Sequence, residues 1–311
     1  MKQFFSTVMN KDKLTPAEQL ILNNSVEKRV EIAKSPHTPP EILDMLAEDW
    51  CIAVLCAVAK NQNTSQATLN KLYKSMYVEV LREVAGNPNT PSNILHELGT
   101  TCGDWYIRCY VAKNPNTLPE TLCNLSRDED YTIRCAVATH PNTPGYILKK
   151  LANDKSPEVR QSVAYNHRTP QSILRKLFKN RDWVMRLHLA LNPNTPPDIL
   201  RELAKSRRDQ IYQAVADNPN TPPDALRILA TRKNRTTRCS VAMHSHTPSD
   251  ILTQLANDND SEIRTAVAQN PYTPPEVLEK LANDLDIDIR RAVAHNPNTP
   301  VELVRKLLIE C

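Results

Sequence analysis

Glycine and aromatic residues are scarce in this chain of 311 residues, which has only 4 Gly and 5% Phe, Trp and Tyr. So few glycines leave little material for a glycine-rich phosphate loop, and such a composition is not typical of β proteins. No apolar run approaches the ~20 residues of a membrane span. The first residues, MKQFFSTVMNKDKL, also lack a signal-peptide cleavage site. We therefore expect an all-α protein that does not enter a membrane, and the eight scattered cysteines suggest a reducing, cytoplasmic setting.

Proline, unlike glycine, is abundant. The chain has 24 Pro, many of them in one recurring motif. This motif is the tetrapeptide Asn-Pro-Asn-Thr with its variants, and nine of the ten intervals between its threonines are 26 residues, with one of 27. Self-similarity at a fixed period indicates a repeat architecture. The threonines are Thr38, Thr64, Thr90, Thr117, Thr143, Thr169, Thr195, Thr221, Thr247, Thr273 and Thr299.

The residues after each threonine predict a first helix, which we call helix A. In Thr273-Pro274-Pro275-Glu276 the threonine is a candidate N-cap, proline suits the first helical position and Glu276 can close a capping box. Leucine stands eight residues after every repeat threonine and, except for Val304, also five after it. Leucines three apart form one apolar stripe. We expect helix A to be about ten residues long.

The residues before the next Asn-Pro predict a second helix, helix B, as in residues 261–268. Alanine stands two residues before the Asn position in every copy. A fixed alanine indicates a close approach of neighbouring helices, where a larger side chain would overpack. Six side chains are candidate N-caps of helix B: Asp104, Asp130, Ser156, Asp182, Asp260 and Asp286.

An arginine column lies six residues before the Asn position, in eight of eleven copies. An acidic residue often precedes it by four, as Asp260 precedes Arg264, which is a favourable helical pair. We interpret the column as a ladder of ion pairs between repeats, with an anion-binding stripe as the alternative. Its members are Arg29, Arg108, Arg134, Arg160, Arg186, Arg238, Arg264 and Arg290.

The unit resembles the variant leucine-rich repeat family, most clearly at residues 274–284 and 288–297, and its helix B is similar to HEAT-like repeats. The resemblance covers roughly residues 15–311 and implies a right-handed superhelix of paired short helices, one of which can be 3₁₀. The best-known member carries an N-terminal iron–sulfur cluster on cysteines. Here the first cysteine, Cys51, already lies inside the repeats, so we do not expect that cluster.

We thus predict an all-α, right-handed superhelical solenoid of about eleven 26-residue two-helix repeats with a degenerate N-terminal cap. Residues 1–14 would form an extension and residues 15–311 a single solenoid. In that solenoid 15–37 is the cap, which begins at Thr15-Pro16-Ala17-Glu18 with Leu20, 38–298 the full repeats and 299–311 a C-terminal cap helix. The one extra residue lies within 99–103, which holds two of the four glycines, and we expect a bend or a wider loop there.

Cysteine and histidine offer little chemistry. Cys56, Cys109, Cys135 and Cys239 share one repeat position, but equivalent residues on successive repeats lie about 8–10 Å apart, whereas a thiolate ligand lies about 2.3 Å from its ion. We predict a packing role, with no metal and no other cofactor. His140 and His244 replace the marker Asn, and we interpret them as substitutions at a turn.

Aromatic residues depart from the repeat, and departures in a solenoid commonly face the binding groove. Trp105, Tyr131 and Trp183 share the first position of helix B. The candidate partner-binding residues, with packing on a neighbouring loop as the alternative, are Trp105, Tyr106, Tyr110, Tyr131, Tyr165, Trp183, His188 and Tyr212.

Charge is uneven along the chain. Residues 145–238 contain 19 basic and 8 acidic side chains, whereas 239–311 contain 6 and 11. Such a segment can attract an anionic partner, although a plainly solvated surface is the alternative. The candidate phosphate-binding residues are Lys149, Lys150, Arg175, Lys176, Arg181, Arg207 and Arg208.

We find no catalytic constellation, and we expect a monomeric, non-enzymatic scaffold that binds a protein or peptide along the helix B groove. The alternative is a nucleic-acid-binding HEAT-like solenoid that uses the basic segment 145–238. HEAT-like solenoids also include base-excising glycosylases, so a DNA-processing enzyme is a third and weaker hypothesis.

Overall fold

The fold was analysed in a computed structural model, which describes residues 23–75 and 77–310. These residues form helices and turns, and no strand occurs among them. The chain divides into two compact units, at residues 1–151 and 152–311. Each unit is an all-α stack of two-helix repeats. The predicted start of the cap, from Thr15 to Leu20, lies outside the described residues.

In the first unit the odd-numbered helices are copies of helix B and the even-numbered ones are copies of helix A. The helices are α1 Val26–Lys34, α2 Pro40–Leu46, α3 Ile52–Lys60, α4 Gln66–Tyr73, α5 Val78–Gly86, α6 Ser92–Thr101, α7 Trp105–Lys113, α8 Pro119–Leu125, α9 Tyr131–Thr139 and α10 Gly145–Leu151. Consecutive B helices pack against each other, as α5 packs against α7.

The second unit continues the same alternation and the same packing of consecutive B helices. Its helices are α11 Pro157–Tyr165, α12 Gln171–Phe178, α13 Trp183–Leu191, α14 Pro197–Ala204, α15 Asp209–Asp217, α16 Pro223–Ala230, α17 Arg235–Met243, α18 Ser249–Leu255, α19 Ser261–Gln269, α20 Pro275–Leu281, α21 Ile287–His295 and α22 Val301–Glu310.

Both helices of the repeat are α-helices, and helix B is nine residues long in each described copy. Helix A was predicted too long, because most copies have seven or eight residues. The leucine stripe of helix A and the fixed alanine of helix B form the core, as the fully buried Leu278 and Ala268 illustrate. The six predicted caps of helix B are confirmed, since each side chain accepts a backbone N–H of the first turn.

The repeat threonine is not the N-cap of helix A, so that prediction was wrong. Pro274 is the N-cap residue of α20 and Pro275 opens the helix, and no side chain caps it. The Thr273 hydroxyl is fully buried and donates to the carbonyl of Val267, at 2.6 Å. The threonine therefore closes the turn back onto helix B, and the same bond recurs from Thr38 to Thr299.

The marker asparagine joins successive repeats. Asn192 is fully buried, and its Nδ2 donates to the carbonyls of Ala164, at 2.7 Å, and Asn166, at 2.9 Å. Its Oδ1 accepts the backbone N–H of Asn194, at 2.9 Å. The second Asn of the motif binds the previous turn as well, because Asn298 Nδ2 donates to the carbonyl of Pro271. These ladders explain why the tetrapeptide recurs.

Histidine imitates this asparagine where it replaces it. His140 Nε2 lies 2.9 Å from the carbonyl oxygen of Asn114, and its Nδ1 accepts the backbone N–H of Asn142. His244 makes the equivalent contacts. Burial lowers the pKa of both imidazoles below the usual value of histidine. The interpretation of both residues as structural substitutions is confirmed.

The extra residue near the glycines lengthens a helix and does not widen a loop, so the wider loop that was one of the two expectations is wrong, while the bend stays a prediction. Helix α6 has ten residues and ends at Thr101, and only residues 102–104 separate it from α7. Gly99 is buried, and a Cβ on it would lie 3.0 Å from Thr121 Cγ2 and 3.1 Å from Val111 Cγ1. This glycine allows a close approach between neighbouring repeats.

Candidate functional site

Members of the arginine column such as Arg108 and Arg264 form bidentate ion pairs with an aspartate of the next repeat, which confirms the preferred interpretation at these rungs. In the first unit Arg108 Nε lies 2.7 Å from Asp128, a residue of the next repeat. In the second unit Arg264 Nε lies 2.7 Å from Asp284, and its Nη2 also binds that carboxylate, at 3.1 Å. Each complete rung thus joins an arginine to an aspartate twenty residues later. The paired guanidinium lowers the pKa of Asp284 below the usual value of aspartate.

The aspartate four residues before the arginine has another task. Asp260 caps α19 through the backbone N–H of Glu262, so the predicted pair within the helix is not the one that forms with Arg264. The rung aspartate also has a second role, because Asp284 Oδ1 accepts the backbone N–H of Asp286. The residue at the aspartate position of a rung therefore has two roles. It accepts a backbone N–H of its own loop, and in a complete rung its carboxylate also pairs with the arginine twenty residues earlier.

The rungs of the second unit that begin at Arg160 and Arg186 lack the carboxylate. Twenty residues later stand Asn180 and Ser206, which keep only the acceptor role toward the backbone N–H groups of Asp182 and Arg208. Tyr212 takes the arginine position in the next rung and Arg232 takes the aspartate position, with the Arg232 guanidinium 4.7 Å from the ring centroid. We refer to these three rungs together as the ladder gap.

Arg186 stands apart from the other column arginines of the described chain. Arg160 still donates to the carbonyls of Asp154 and Lys155 through Nη1. The Arg186 guanidinium instead lies 5.6 Å from the Phe178 ring centroid, and its Nε is buried without a hydrogen-bond partner among the described residues. The Nε of Arg232 is in the same state. A buried N–H donor without a hydrogen-bond partner costs free energy. A ligand that supplied an acceptor to either Nε atom would therefore form a hydrogen bond that the chain itself does not make.

In the first unit, exposed aromatic rings lie on two adjacent B helices. Trp105 and Tyr106 are stacked with their ring centroids 3.9 Å apart, and the Arg82 guanidinium lies 4.7 Å from the Tyr106 centroid. Tyr110 packs over Gly86, and Tyr131 opens the next B helix, α9. The four rings remain between 43% and 49% exposed. We call this group the aromatic surface of the first unit.

In the second unit, three of the four candidate partner-binding residues remain accessible. Trp183 is 42% exposed at the start of α13, and Tyr165 packs edge-on against His188 at a centroid distance of 5.6 Å. Burial lowers the pKa of His188 below the usual value of histidine. Tyr212 is only 6% exposed. Its side chain is covered in this conformation, so it does not belong to an accessible surface.

The candidate phosphate-binding residues lie in two different places. Arg175 pairs with Asp198 on the helix A side, where Arg201 with Asp224 and Arg227 with Asp250 repeat the pattern. Lys176 donates there to Asn153, and the exposed Lys149 and Lys150 lie on α10, a helix A of the first unit. Arg181, Arg207 and Arg208 lie instead in the loops that lead from helix A to helix B.

These loops of the second unit carry charge of opposite sign in different repeats. Loops 179–182, 205–208 and 231–234 hold seven basic side chains and one acidic side chain, and we call them the basic edge. Loops 257–260 and 283–286 hold four acidic side chains and no basic one. Arg208 lies over the Trp183 ring, 5.0 Å from its centroid. The basic edge therefore meets an exposed aromatic ring at the ladder gap.

The four cysteines of the shared position are half-buried on helix B. Burial raises the pKa of the Cys56 and Cys239 thiols, which favours the protonated, unreactive form. Within residues 23–75 and 77–310, no group of three or more His, Cys, Asp or Glu side chains could hold a metal ion. None of the described helices is both long and apolar enough to span a bilayer.

The model of the leucine-rich repeat variant family matches residues 262–286, which comprise most of α19, the following turn and α20. The unit formed by these residues is therefore similar to the leucine-rich repeat variant unit. The same B-turn-A unit, with its Asn and Thr contacts, recurs through both units of the chain. No curated protein matches the chain.

Solved structures similar to this chain include the following three, each at low sequence identity. One, described as a leucine-rich repeat variant with a novel repetitive structural motif, is 24% identical over 71% of this chain and 86% of its own, with a TM-score of 0.49. Importin beta is 11% identical over 91% of this chain and 42% of its own, with a TM-score of 0.26. A designed armadillo repeat protein in complex with the peptide (KR)4 is 14% identical over 94% and 99%, with a TM-score of 0.17.

Proposed function

We propose that the chain is a non-enzymatic scaffold whose B helices bind a protein or peptide partner. The observation that carries this proposal is the aromatic surface of the first unit, where Trp105, Tyr106, Tyr110 and Tyr131 stand about half exposed on α7 and α9. Large amphipathic rings on a rigid backbone are common anchors of protein interfaces. In the second unit Trp183, Tyr165 and His188 offer a smaller surface of the same kind.

The contacts between repeats support this proposal, because the buried positions hold the fold together and the exposed aromatic positions do not. The fixed Asn, Thr, Ala and Leu positions are buried and are used in stapling or in the core. The exposed aromatic residues occur only in some copies, so the repeat architecture does not require them. Side chains that the fold does not need and that stay accessible are the natural candidates for recognition.

Selection of peptides from a random library on the full chain would test the proposal. We expect Trp105→Ala to weaken the selected peptides that dock on the first unit by about 10-fold or more, and Trp183→Ala those on the second unit, because removal of an interface anchor costs about 2 kcal/mol. Trp50→Ala and Tyr272→Ala remove exposed rings elsewhere and serve as matched controls. A library that yields no binder, or binders that tolerate both tryptophan variants, would refute the proposal.

A nucleic-acid partner is the second candidate, and the contact between Arg208 and Trp183 favours it because cationic and stacking groups meet there. A gel shift with single-stranded DNA and RNA tests it. Binding that depends on phosphate contacts should weaken steeply between about 50 mM and 200 mM salt. An absent shift at the lower salt concentration would eliminate this candidate.

A further inference from the structure

The ladder gap in the second unit differs from every other interruption of the arginine column that the structure describes. Leu55 replaces the arginine in the first unit, and Ser75 stands twenty residues later, so arginine and aspartate are missing together. At Arg160 and Arg186 the arginine is kept and only the carboxylate is missing. A solvated or apolar replacement would remove the unpaired charge. The chain instead retains Arg186, whose Nε has no hydrogen-bond partner among the described residues.

Complete rungs of the same chain show what such a guanidinium binds. Asp258 and Asp284 receive the Nε and Nη2 of Arg238 and Arg264 as a fork. This geometry suits a planar carboxylate, which accepts two parallel N–H bonds. A carboxylate entering beside Ser206 would meet Arg186 as Asp284 meets Arg264. The Ser206 hydroxyl already accepts the N–H of Arg208, so the loop is held in the conformation of the complete rungs.

Charge at the gap agrees with an acidic occupant. The basic edge contributes Arg181, Arg207, Arg208 and Lys233, and Lys205 is paired with Glu202 at 2.7 Å. The nearby carboxylate of Asp182 has a task of its own, since it caps α13 and accepts a hydrogen bond from Gln161 Nε2. Trp183, half exposed beside Arg208, offers an apolar contact at the same rung.

We propose that the ladder gap binds an acidic peptide segment, whose Asp or Glu carboxylate takes the place of the missing rung aspartate at Arg186, with the basic edge attracting neighbouring acids. This proposal rests on the proposed peptide-binding function and specifies the chemistry of the partner for the second unit. It assigns the site to carboxylates rather than to the phosphates of a nucleic acid, because the internal partner of every complete rung is a carboxylate.

The test uses the full chain, a fluorescent ten-residue glutamate peptide and anisotropy at about 150 mM salt, an ionic strength that screens loose surface attraction. Ser206→Asp supplies the missing carboxylate from within. We expect it to weaken the peptide at least 10-fold and to raise the urea midpoint. Ser206→Asn has nearly the shape of aspartate without its charge, and we expect it to leave binding within about 2-fold. Gln210→Glu adds the same charge on an exposed neighbour and should also change binding by less than about 3-fold.

Several outcomes would overturn the proposal. Binding that survives Ser206→Asp, or that falls equally with Ser206→Asn or Gln210→Glu, would show that the peptide does not bind at this rung. A ten-residue lysine peptide that binds as well as the glutamate peptide removes the charge selectivity. An oligo-dT probe that binds more tightly and responds to Ser206→Asp assigns the gap to phosphate. Library peptides that depend on Trp183 but ignore Ser206→Asp would leave the proposed function standing and reject only this inference.

Discussion

Replacement of Asn192 separates the contribution of the asparagine ladder from that of the hydrophobic core. The side chain is fully buried and makes three hydrogen bonds, to the carbonyls of Ala164 and Asn166 and from the N–H of Asn194. Each contributes about 1 kcal/mol net, and buried groups left without partners add a further cost of about 1–3 kcal/mol. We expect Asn192→Ala to lower the free energy of unfolding by about 4–6 kcal/mol.

Histidine provides the matched control, because the chain itself uses it at His140 and His244. Asn192→His keeps an acceptor for the N–H of Asn194 and a donor for the carbonyl of Asn166. It loses only the bond to Ala164, so we expect a cost of about 1 kcal/mol at pH 8.

Urea unfolding followed by circular dichroism measures both variants, and hydrogen exchange of the Asn194 amide reports the local bond. If Asn192→Ala costs less than about 1 kcal/mol, or if the histidine variant is as unstable as the alanine variant, the asparagine hydrogen bonds do not hold the repeats together.

Three further predictions concern other positions that the repeat fixes or changes. Thr273→Asp should lower the free energy of unfolding by about 2 kcal/mol or more, because a carboxylate cannot donate to Val267; an N-cap role would predict a neutral effect, and Thr273→Ser should be mild in urea unfolding. Gly99→Ala should destabilise by about 1 kcal/mol through its contact with Thr121, whereas Gly86→Ala, with 3.4 Å to the nearest atom, should stabilise through helix propensity; thermal melting of the pair checks this. The lowered pKa of His140 and His244 means that the unfolded state binds more protons, so stability falls as the pH drops below about 6.5. The difference between the unfolding midpoints at pH 8 and pH 5 should shrink in the variant with His140→Asn and His244→Asn, with the contribution of His188 remaining, and an unchanged difference would contradict this.

The caps of helix B could be predicted from the sequence because they are local. Asp104 and Asp130 each stand immediately before a segment with helical apolar periodicity, and this local pattern is sufficient to predict an N-cap. The repeat threonine is usually followed by proline at the predicted start of helix A. The sequence is therefore equally compatible with a threonine that caps helix A and with one that donates a hydrogen bond to helix B. Only the position of the preceding helix decides the matter, since the hydroxyl of Thr273 finds the carbonyl of Val267 within reach.

Contacts between repeats were harder to predict. Asp260 precedes Arg264 by four residues, which is the spacing of a favourable helical pair. The aspartate that pairs with Arg264 is instead Asp284, twenty residues later, and no local pattern in the sequence indicates it. Tyr212 shares the arginine column by its spacing, yet its ring is covered with Arg232 above it. Spacing alone identifies which residues are equivalent in successive repeats, but the stacking of those repeats determines which of them meet.

A repeat architecture can tolerate an incomplete rung where a globular core could not. Each repeat contacts chiefly its neighbours, so stability is approximately a sum of local terms. The missing carboxylate at Ser206 therefore costs only its own rung, while the Asn192 and Asn218 staples on either side remain intact. An unpaired guanidinium, which would destabilise a compact core, therefore has little effect on the stability of the other repeats. In this chain the position where the internal partner is missing is also where Trp183 is exposed and the basic edge is densest, which is why the gap, rather than the regular ladder, is the place to test for a ligand.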